Sequence, residues 1–141
     1  MPVADDERAS TIRLLLVDDH DLVVLALTAA FEDIADIDVV GTATSVAGGA
    51  ALAARHQPDV VLLDRRLPDG DGIDAIGRFC AQAPDLRVLL FTGWADRAIA
   101  DRVAAAGGAG LLLKAGRVEN IVDTIRSVAA GNTAFDVDPS R

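Results

Sequence analysis

The segment 12–19, IRLLLVDD, decides the fold of this 141-residue chain. An apolar run of this length after a polar start is typical of a strand that is buried on both faces. The segment 21–32 follows as a predicted helix, with Asp21 in place to cap its start. A buried strand followed directly by a helix is the repeating unit of a parallel sheet, so the rest of the chain should continue it.

The alternation of strand and helix continues to the end of the chain. Further strands are predicted at 37–43, 60–63, 86–91 and 110–113, and further helices at 45–56, with Ser45 as the cap, and at 73–83, 96–106 and 118–128. Five such units predict an α/β fold, a doubly wound five-stranded parallel sheet with helices on both faces. We expect a flexible N-terminus at 1–10, one domain at 11–131, and a tail or the start of a linker at 132–141.

Composition excludes several classes of function. The net charge is −9, from 22 acidic and 13 basic side chains, which argues against binding of nucleic acid or of an anionic membrane by this chain. One cysteine, Cys80, allows neither an internal disulfide nor a CxxC metal site. The sequence shows no signal-peptide pattern and no apolar run of about 18 residues, so we expect a soluble cytoplasmic protein.

Polar residues stand at the end of four predicted strands. Asp18 and Asp19 follow the first strand, Asp64 the third, Thr92 the fourth and Lys114 the fifth. The carboxyl ends of parallel strands lie along one edge of a sheet, so these five side chains should converge. Taken singly, each of them could be a helix cap, a turn residue or a solvated surface charge; it is their combination that indicates a site.

Three converging carboxylates repel one another unless a cation joins them. Oxygen ligands of this kind suit Mg²⁺, and the lysine and the threonine add a positive charge and a hydrogen-bond donor. Such a pocket suits a phosphoryl group, with a central carboxylate as its nucleophile. The sequence lacks the glycine-rich patterns of dinucleotide-binding and P-loop proteins.

Five separated motifs resemble the receiver domain of bacterial response regulators, over residues 11–131. They are V-D-D-H at 17–20, L-L-D at 62–64, L-P-D-G-D-G at 67–72, F-T-G at 91–93 and L-L-K at 112–114. The first loop after L-L-D and the tail V-A-A-G-N-T-A-F at 128–135 are most similar to the NarL/FixJ type, whose members carry a LuxR-type DNA-binding domain. The resemblance implies a flavodoxin-like strand order, 2-1-3-4-5.

The resemblance also implies a magnesium site. Asp18, Asp19 and Asp64 would hold Mg²⁺ together with the backbone carbonyl of Arg66. Pro68 and Gly72 would shape the loop that follows Asp64.

A phosphoacceptor role is implied for Asp64, without a classical enzymatic activity beyond its own phosphorylation and dephosphorylation. Thr92 would be the switch hydroxyl, and Lys114 would pair with the phosphate. The donor would be a phosphohistidine on a sensor histidine kinase, and phosphorylation would change partner contacts, including those of a homodimer.

Some positions depart from the family pattern. Leu111 stands where the family usually has a rotating Tyr or Phe, which makes the route of signal transmission an open question. Trp94 is expected on the loop beside the phosphate pocket. The run 22–27, which includes Val24 and Leu25, contains no polar residue, so the first helix should either make a wide core contact or expose an apolar patch.

Other functions remain open beside this one. A phosphatase of the haloacid dehalogenase class also uses an aspartyl nucleophile and Mg²⁺, but it needs a second aspartate where this chain has Arg66. A pseudo-receiver that takes no phosphate would have lost an acid or the lysine. The chain could belong to a longer regulator with an output domain or act as a stand-alone single-domain regulator.

Overall fold

A parallel sheet with helices on both faces forms the centre of the structure, a computed structural model that describes residues 11–137. The predicted flexible segment 1–10 and the last four residues lie outside the described residues. In chain order the elements are β1 (Ile12–Val17), α1 (Asp21–Glu32), β2 (Ile37–Ala43), α2 (Val46–His56), β3 (Val60–Asp64), β4 (Arg66–Leu67), β5 (Gly70–Asp71), α3 (Gly72–Gln82), β6 (Arg87–Thr92), α4 (Arg97–Ala105), β7 (Gly110–Leu113), α5 (Val118–Ala129) and β8 (Ala134–Phe135).

The strand order is β2-β1-β3-β6-β7-β8, and all pairs in this sheet are parallel. The five predicted strands are β1, β2, β3, β6 and β7. Their order in the sheet confirms the predicted α/β fold and the predicted order 2-1-3-4-5. The predicted number of strands is wrong, because Ala134 and Phe135 pair with Gly110 and Leu111 as a sixth, terminal strand. Two residues are too few to show the period-2 pattern by which a strand is recognised in a sequence.

Alternating residues of each strand feed two separate cores. In β1, Leu15 and Val17 belong to the core beneath α2, α3 and α4, whereas Leu14 and Leu16 belong to the core beneath α1 and α5. Successive side chains of a strand point to opposite faces, so continuous apolar strands can bury both faces at once. The largest aromatic contributions are Phe79 of α3 on one face and Phe31 of α1 on the other.

The starts of the helices partly differ from the prediction. Ser45 caps α2 as expected, and its Oγ accepts a hydrogen bond from the Gly48 amide. Asp21 does not cap α1: it is the first helical residue, and His20 occupies the N-cap without a capping side-chain bond. His20 cannot cap because its ring is turned toward the carboxylates that follow β1. No helix within residues 11–137 is long and apolar enough to cross a membrane.

Candidate functional site

An open cleft of about 360 Å³ lies at the carboxyl ends of the central strands. The parallel register sets Asp64, the last residue of β3, beside Phe91 of β6, and sets Thr92 beside Leu113 of β7. The structure therefore brings the predicted strand-end residues to one edge. The lining of the cleft consists of His20, Val23, Asp64, Arg65, Arg66, Thr92, Gly93, Trp94 and Lys114.

Two buried carboxylates share one ammonium group at the floor of the cleft. Lys114 Nζ lies 2.9 Å from Asp18 Oδ2 and 3.2 Å from Asp64 Oδ1. Both aspartates are buried, and Asp19 lies beside them at the half-exposed rim. One lysine neutralises only one of the two buried charges, so this group keeps a net negative charge when both acids are ionised.

The two buried acids differ in their affinity for a proton. Burial raises the pKa of Asp64, and the neighbouring charge of Asp18 raises it further against the opposing effect of Lys114. Burial also acts to raise the pKa of Asp18, but hydrogen bonds from the His20 amide, Lys114 and the His20 ring outweigh it and hold that pKa below its ordinary value. Asp18 is thus the more acidic carboxyl of the pair, and Asp64 is the one whose charged form is disfavoured by its surroundings.

The acid cluster fits a divalent cation. Asp18, Asp19, His20 and Asp64 each offer a ligand atom, and these atoms lie within 4.8 Å of one another. Oδ2 of Asp64 is buried and, within the described residues, accepts no hydrogen bond, whereas Oδ2 of Asp18 has the Lys114 ammonium group as its partner. Carboxylate oxygens in that condition suit Mg²⁺, which takes one or two carboxylates and keeps several waters.

His20 is a member of the cluster, although no role in the site was predicted for it. Its Nδ1 lies 2.7 Å from Asp18 Oδ1 and 3.3 Å from Asp64 Oδ2. The same nitrogen is 3.1 Å from Lys114 Nζ, so it can donate to Asp18 or accept from Lys114 but cannot do both. The bond to Asp18 raises the pKa of His20. The ring is 59% exposed, which leaves it room to turn away from the acids.

Thr92, the last residue of β6, also lines the cleft. Its hydroxyl donates a long hydrogen bond, 3.4 Å, to the backbone carbonyl of Trp94. Its own carbonyl accepts from the Lys114 amide at 2.8 Å, which ties the ends of β6 and β7 together. The weak hydroxyl bond leaves Thr92 able to exchange that partner for another acceptor in the cleft.

The loop after Asp64 is held close by a glycine. The Gly72 amide donates to the carbonyl of Arg65 at 2.5 Å, and a Cβ at position 72 would clash with the carbonyl oxygen of Asp64. Only glycine allows this approach of two backbones. The segment 65–72, predicted as a loop, contains the two-stranded hairpin of β4 and β5, which presents the exposed Arg66 at the cleft.

A model of the response regulator receiver domain matches residues 14–126 of this chain. The chain belongs to this family. Its fold and the acids at its strand ends are those that the resemblance of the motifs led us to expect. Proteins of this family are phosphoacceptors, and they bind Mg²⁺ in an acidic pocket.

Curated relatives assign the receiver domain to the LuxR/NarL type. It is 36% identical over 125 residues to the transcriptional regulatory protein LiaR of Bacillus subtilis, and the matched segment covers 89% of this chain and 59% of that protein. It is 37% identical over 120 residues to the response regulator GacA of Pseudomonas aeruginosa, with 85% and 56% covered. For the DNA-binding transcriptional activator DevR/DosR of Mycobacterium tuberculosis, the identity is 36% over 126 residues, with 89% and 58% covered. The chain thus spans less than two-thirds of these relatives.

Solved structures agree with this assignment. A LuxR-family two-component response regulator from Aurantimonas sp. SI85-9A1 has a TM-score of 0.84 and 30% identity, with 93% of this chain and 92% of that chain covered. The signal receiver domain of the NarL regulator of Mycobacterium tuberculosis has a TM-score of 0.82 and 32% identity, with 87% and 99% covered.

The receiver domain lacks an aromatic side chain on β7. Leu111 is fully buried in the core beneath α2, α3 and α4, and Phe135 of β8 pairs beside it and packs against the same core. Trp94 lies at the mouth of the cleft as expected from its position after Thr92, and it is 41% exposed.

The sequence analysis assigned no role to His20 or to Asp69, whose carboxylate accepts hydrogen bonds from the start of α2. For His20 the sequence held a usable signal, because this residue directly follows the acid pair at the end of a buried strand. For Asp69 it held none, because the hydrogen-bond partners of this residue are 22 and 23 residues away in the chain. The role of the Arg66 carbonyl as a metal ligand stays a prediction.

Proposed function

We propose that Asp64 of this receiver domain accepts a phosphoryl group from the phosphohistidine of a sensor histidine kinase. The observation that carries the proposal is the position of the Asp64 carboxylate, buried at the floor of an open cleft and 3.2 Å from Lys114 Nζ. A carboxylate in that position can be reached by a donor from outside, and the lysine compensates charge that develops on the transferred group.

The transfer exchanges one phosphorus bond for another. An Asp64 carboxylate oxygen attacks phosphorus, the bond between phosphorus and the imidazole nitrogen of the donor breaks, and that nitrogen keeps the bonding electrons and takes up a proton. The product is an acyl phosphate on Asp64. Lys114 stays within reach of the phosphoryl oxygens, and the Thr92 hydroxyl can leave the Trp94 carbonyl to donate to one of them.

Mg²⁺ is the proposed cofactor, with Asp18, Asp19, Asp64 and the Arg66 carbonyl as its protein ligands. When bound, it would neutralise charge on the carboxylates and on the phosphoryl oxygens. The buried Oδ2 of Asp64, which accepts no hydrogen bond, supports this ligand set, as does the closeness of the acids. His20 would then turn outward, since its Nδ1 now faces the same oxygens.

The partners and the place of action follow from this function. In the cytoplasm, a sensor histidine kinase would supply the phosphoryl group to this domain, and phosphorylation would promote a homodimer. Transcription would be controlled through a DNA-binding domain in the parent protein; the relatives LiaR and DevR/DosR are named a transcriptional regulatory protein and a DNA-binding transcriptional activator. The net charge of −9 supports a role in which this domain itself does not touch DNA.

Two readouts test the phosphoacceptor role. Acetyl phosphate with Mg²⁺ should add one phosphoryl group to the wild-type chain by intact mass, whereas Asp64→Ala and Asp64→Asn should stay unlabelled. Asp85→Ala is the matched control, because this exposed acid lies at the amino end of β6, far from the cleft, and should be labelled normally. Labelling of Asp64→Ala would refute the assignment.

Beryllofluoride with Mg²⁺ distinguishes the phosphoacceptor from a pseudo-receiver. Beryllofluoride binding that requires Asp64 supports the proposal. A wild-type chain that binds neither beryllofluoride nor Mg²⁺ would be a module that works without phosphate. Size-exclusion chromatography of the beryllofluoride complex tests self-association, with a dimer as the expected state.

A further inference from the structure

The hairpin after Asp64 reaches across to helix α2. Its two strands pair Arg66 with Asp71 and Leu67 with Gly70, which leaves Asp69 in the connecting turn. Oδ1 of Asp69 accepts a hydrogen bond from the amide of Val46 at 2.8 Å, and Oδ2 accepts one from the amide of Ala47 at 3.0 Å. Both amides belong to the first turn of α2, where N–H groups have no partner inside the helix.

The bonds from Asp69 are additional to a local cap that α2 already has. Ser45 Oγ accepts from the Gly48 amide at 3.0 Å within the same helix start. A carboxylate at a helix N-terminus is favoured by the helix dipole, and the amides of Ala47 and Val46 lower the pKa of Asp69. Asp69 is therefore an anion at neutral pH, and it joins two segments that the chain separates by more than twenty residues.

The other end of this hairpin is tied to Arg65, the residue after Asp64. The Gly72 amide bonds to the Arg65 carbonyl, and Asp71 caps α3 by accepting from the Ile73 amide at 2.7 Å. At the tip of the hairpin, the polar contacts among the described residues are the hydrogen bonds between Asp69 and the start of α2. Arg66, which lines the cleft, lies between the two attachments.

We propose that Asp69 is a positioning residue for the cation site: by fastening the hairpin tip to α2, it holds the Arg66 backbone at the cleft before a cation binds. The proposal rests on the proposed function, in which the Arg66 carbonyl is a ligand of Mg²⁺. A hairpin that is free at its tip must be ordered each time the cation binds, and that ordering weakens the affinity.

The test uses two variants of Asp69 and, as a matched control, one variant of Ser45. Asp69→Ala removes the tether, and Asp69→Asn keeps one acceptor oxygen. Ser45→Ala removes the other cap of the same helix start, a hydrogen bond that lies within α2 and its N-cap. Mg²⁺ dissociation constants come from ¹⁵N NMR titrations that follow the amides of Gly93 and Lys114, and melting temperatures without Mg²⁺ report stability.

Ser45→Ala and Asp69→Ala should both lower the melting temperature, since each removes a cap from α2. The Mg²⁺ dissociation constant should rise about three- to tenfold in Asp69→Ala and by less in Asp69→Asn, and it should not change in Ser45→Ala. A purely structural role would move the melting temperatures alone.

Two outcomes would overturn the positioning role while the proposed function stands. One is an unchanged dissociation constant in Asp69→Ala, and the other is an equal rise in Ser45→Ala, which would assign the effect to α2 stability. If Asp69→Ala does not fold, the Asp69→Asn titration decides by the same criteria. A wild-type chain that does not bind Mg²⁺ would instead refute the cation site, and the role of Asp69 with it.

Discussion

Lys114 Nζ lies 3.2 Å from Oδ1 of Asp64, and its side chain is only 17% exposed. Removing the lysine would leave the buried charges of Asp64 and Asp18 facing each other without compensation. We expect Lys114→Ala to lower the free energy of unfolding by about 2 kcal/mol at neutral pH without Mg²⁺, measured by urea denaturation.

Arg117→Ala is the control for this loss. Its guanidinium pairs with Glu119 at the surface, where both side chains are highly exposed, so its removal should cost under about 0.5 kcal/mol. Equal losses in the two variants would contradict a structural role of Lys114 between the acids.

The difference in stability between the Asp64→Asn variant and the wild type should depend on pH. The folded pKa of Asp64 is raised above its ordinary value of 3.8, so the contribution of this group to stability is present below that value and is lost as the pH rises through the folded pKa. Without Mg²⁺, Asp64→Asn should therefore be more stable than the wild type by about 1 kcal/mol at pH 7. The difference should disappear near pH 3.5 in urea melts, and a gain that is constant with pH would rule out relief of charge.

Mg²⁺ should raise the melting temperature of the wild-type chain, because a ligand that binds only the folded state stabilises it by mass action. Asp19→Ala removes an acid from the rim of the cluster and should reduce the shift at millimolar Mg²⁺. Asp85→Ala, at the far end of the sheet, should show the full shift. The same shift in all three proteins would place the bound ion elsewhere.

Trp94 should report the bound state by fluorescence. Its carbonyl accepts the hydrogen bond of the Thr92 hydroxyl, and a Thr92 that turns toward a phosphoryl group must break that bond. We expect the emission to change in intensity or wavelength when beryllofluoride and Mg²⁺ bind, and no change in Asp64→Ala. Constant emission at confirmed saturation would show that this loop does not move.

The apolar face of α1 should tolerate charge. Leu22 and Leu25 are 81% and 68% exposed, so of the two alternatives for the all-apolar run the structure shows an exposed patch at these positions, whereas Leu27 is buried. Leu25→Glu should change the free energy of unfolding by less than about 0.5 kcal/mol, and Leu27→Glu should cost more than about 2 kcal/mol. Comparable losses in urea melts would mean that the two positions are buried alike.

Local patterns in the sequence were enough to predict the fold and the residues that meet at its edge. Continuous apolar runs such as 14–17 and 60–63 are typical of central strands of a parallel sheet, and a polar residue that follows such a strand lies at the carboxyl edge of the sheet. For this reason the sequence alone predicts that Asp18, Asp64 and Lys114 lie close together. The cap at Ser45 was equally readable, because a capping bond spans only three residues.

Tertiary structure decided the features that depend on packing between distant segments. The ring of His20 turns toward the acids because β3 and β7 bring Asp64 and Lys114 beside it, and helix propensity carries no sign of that choice. Strand β8 exists because the edge of β7 offers Ala134 and Phe135 unpaired backbone groups. Asp69 finds its partners on α2 only after the sheet has placed the two loops together, since hydrogen bonds between residues far apart in the chain leave no local pattern.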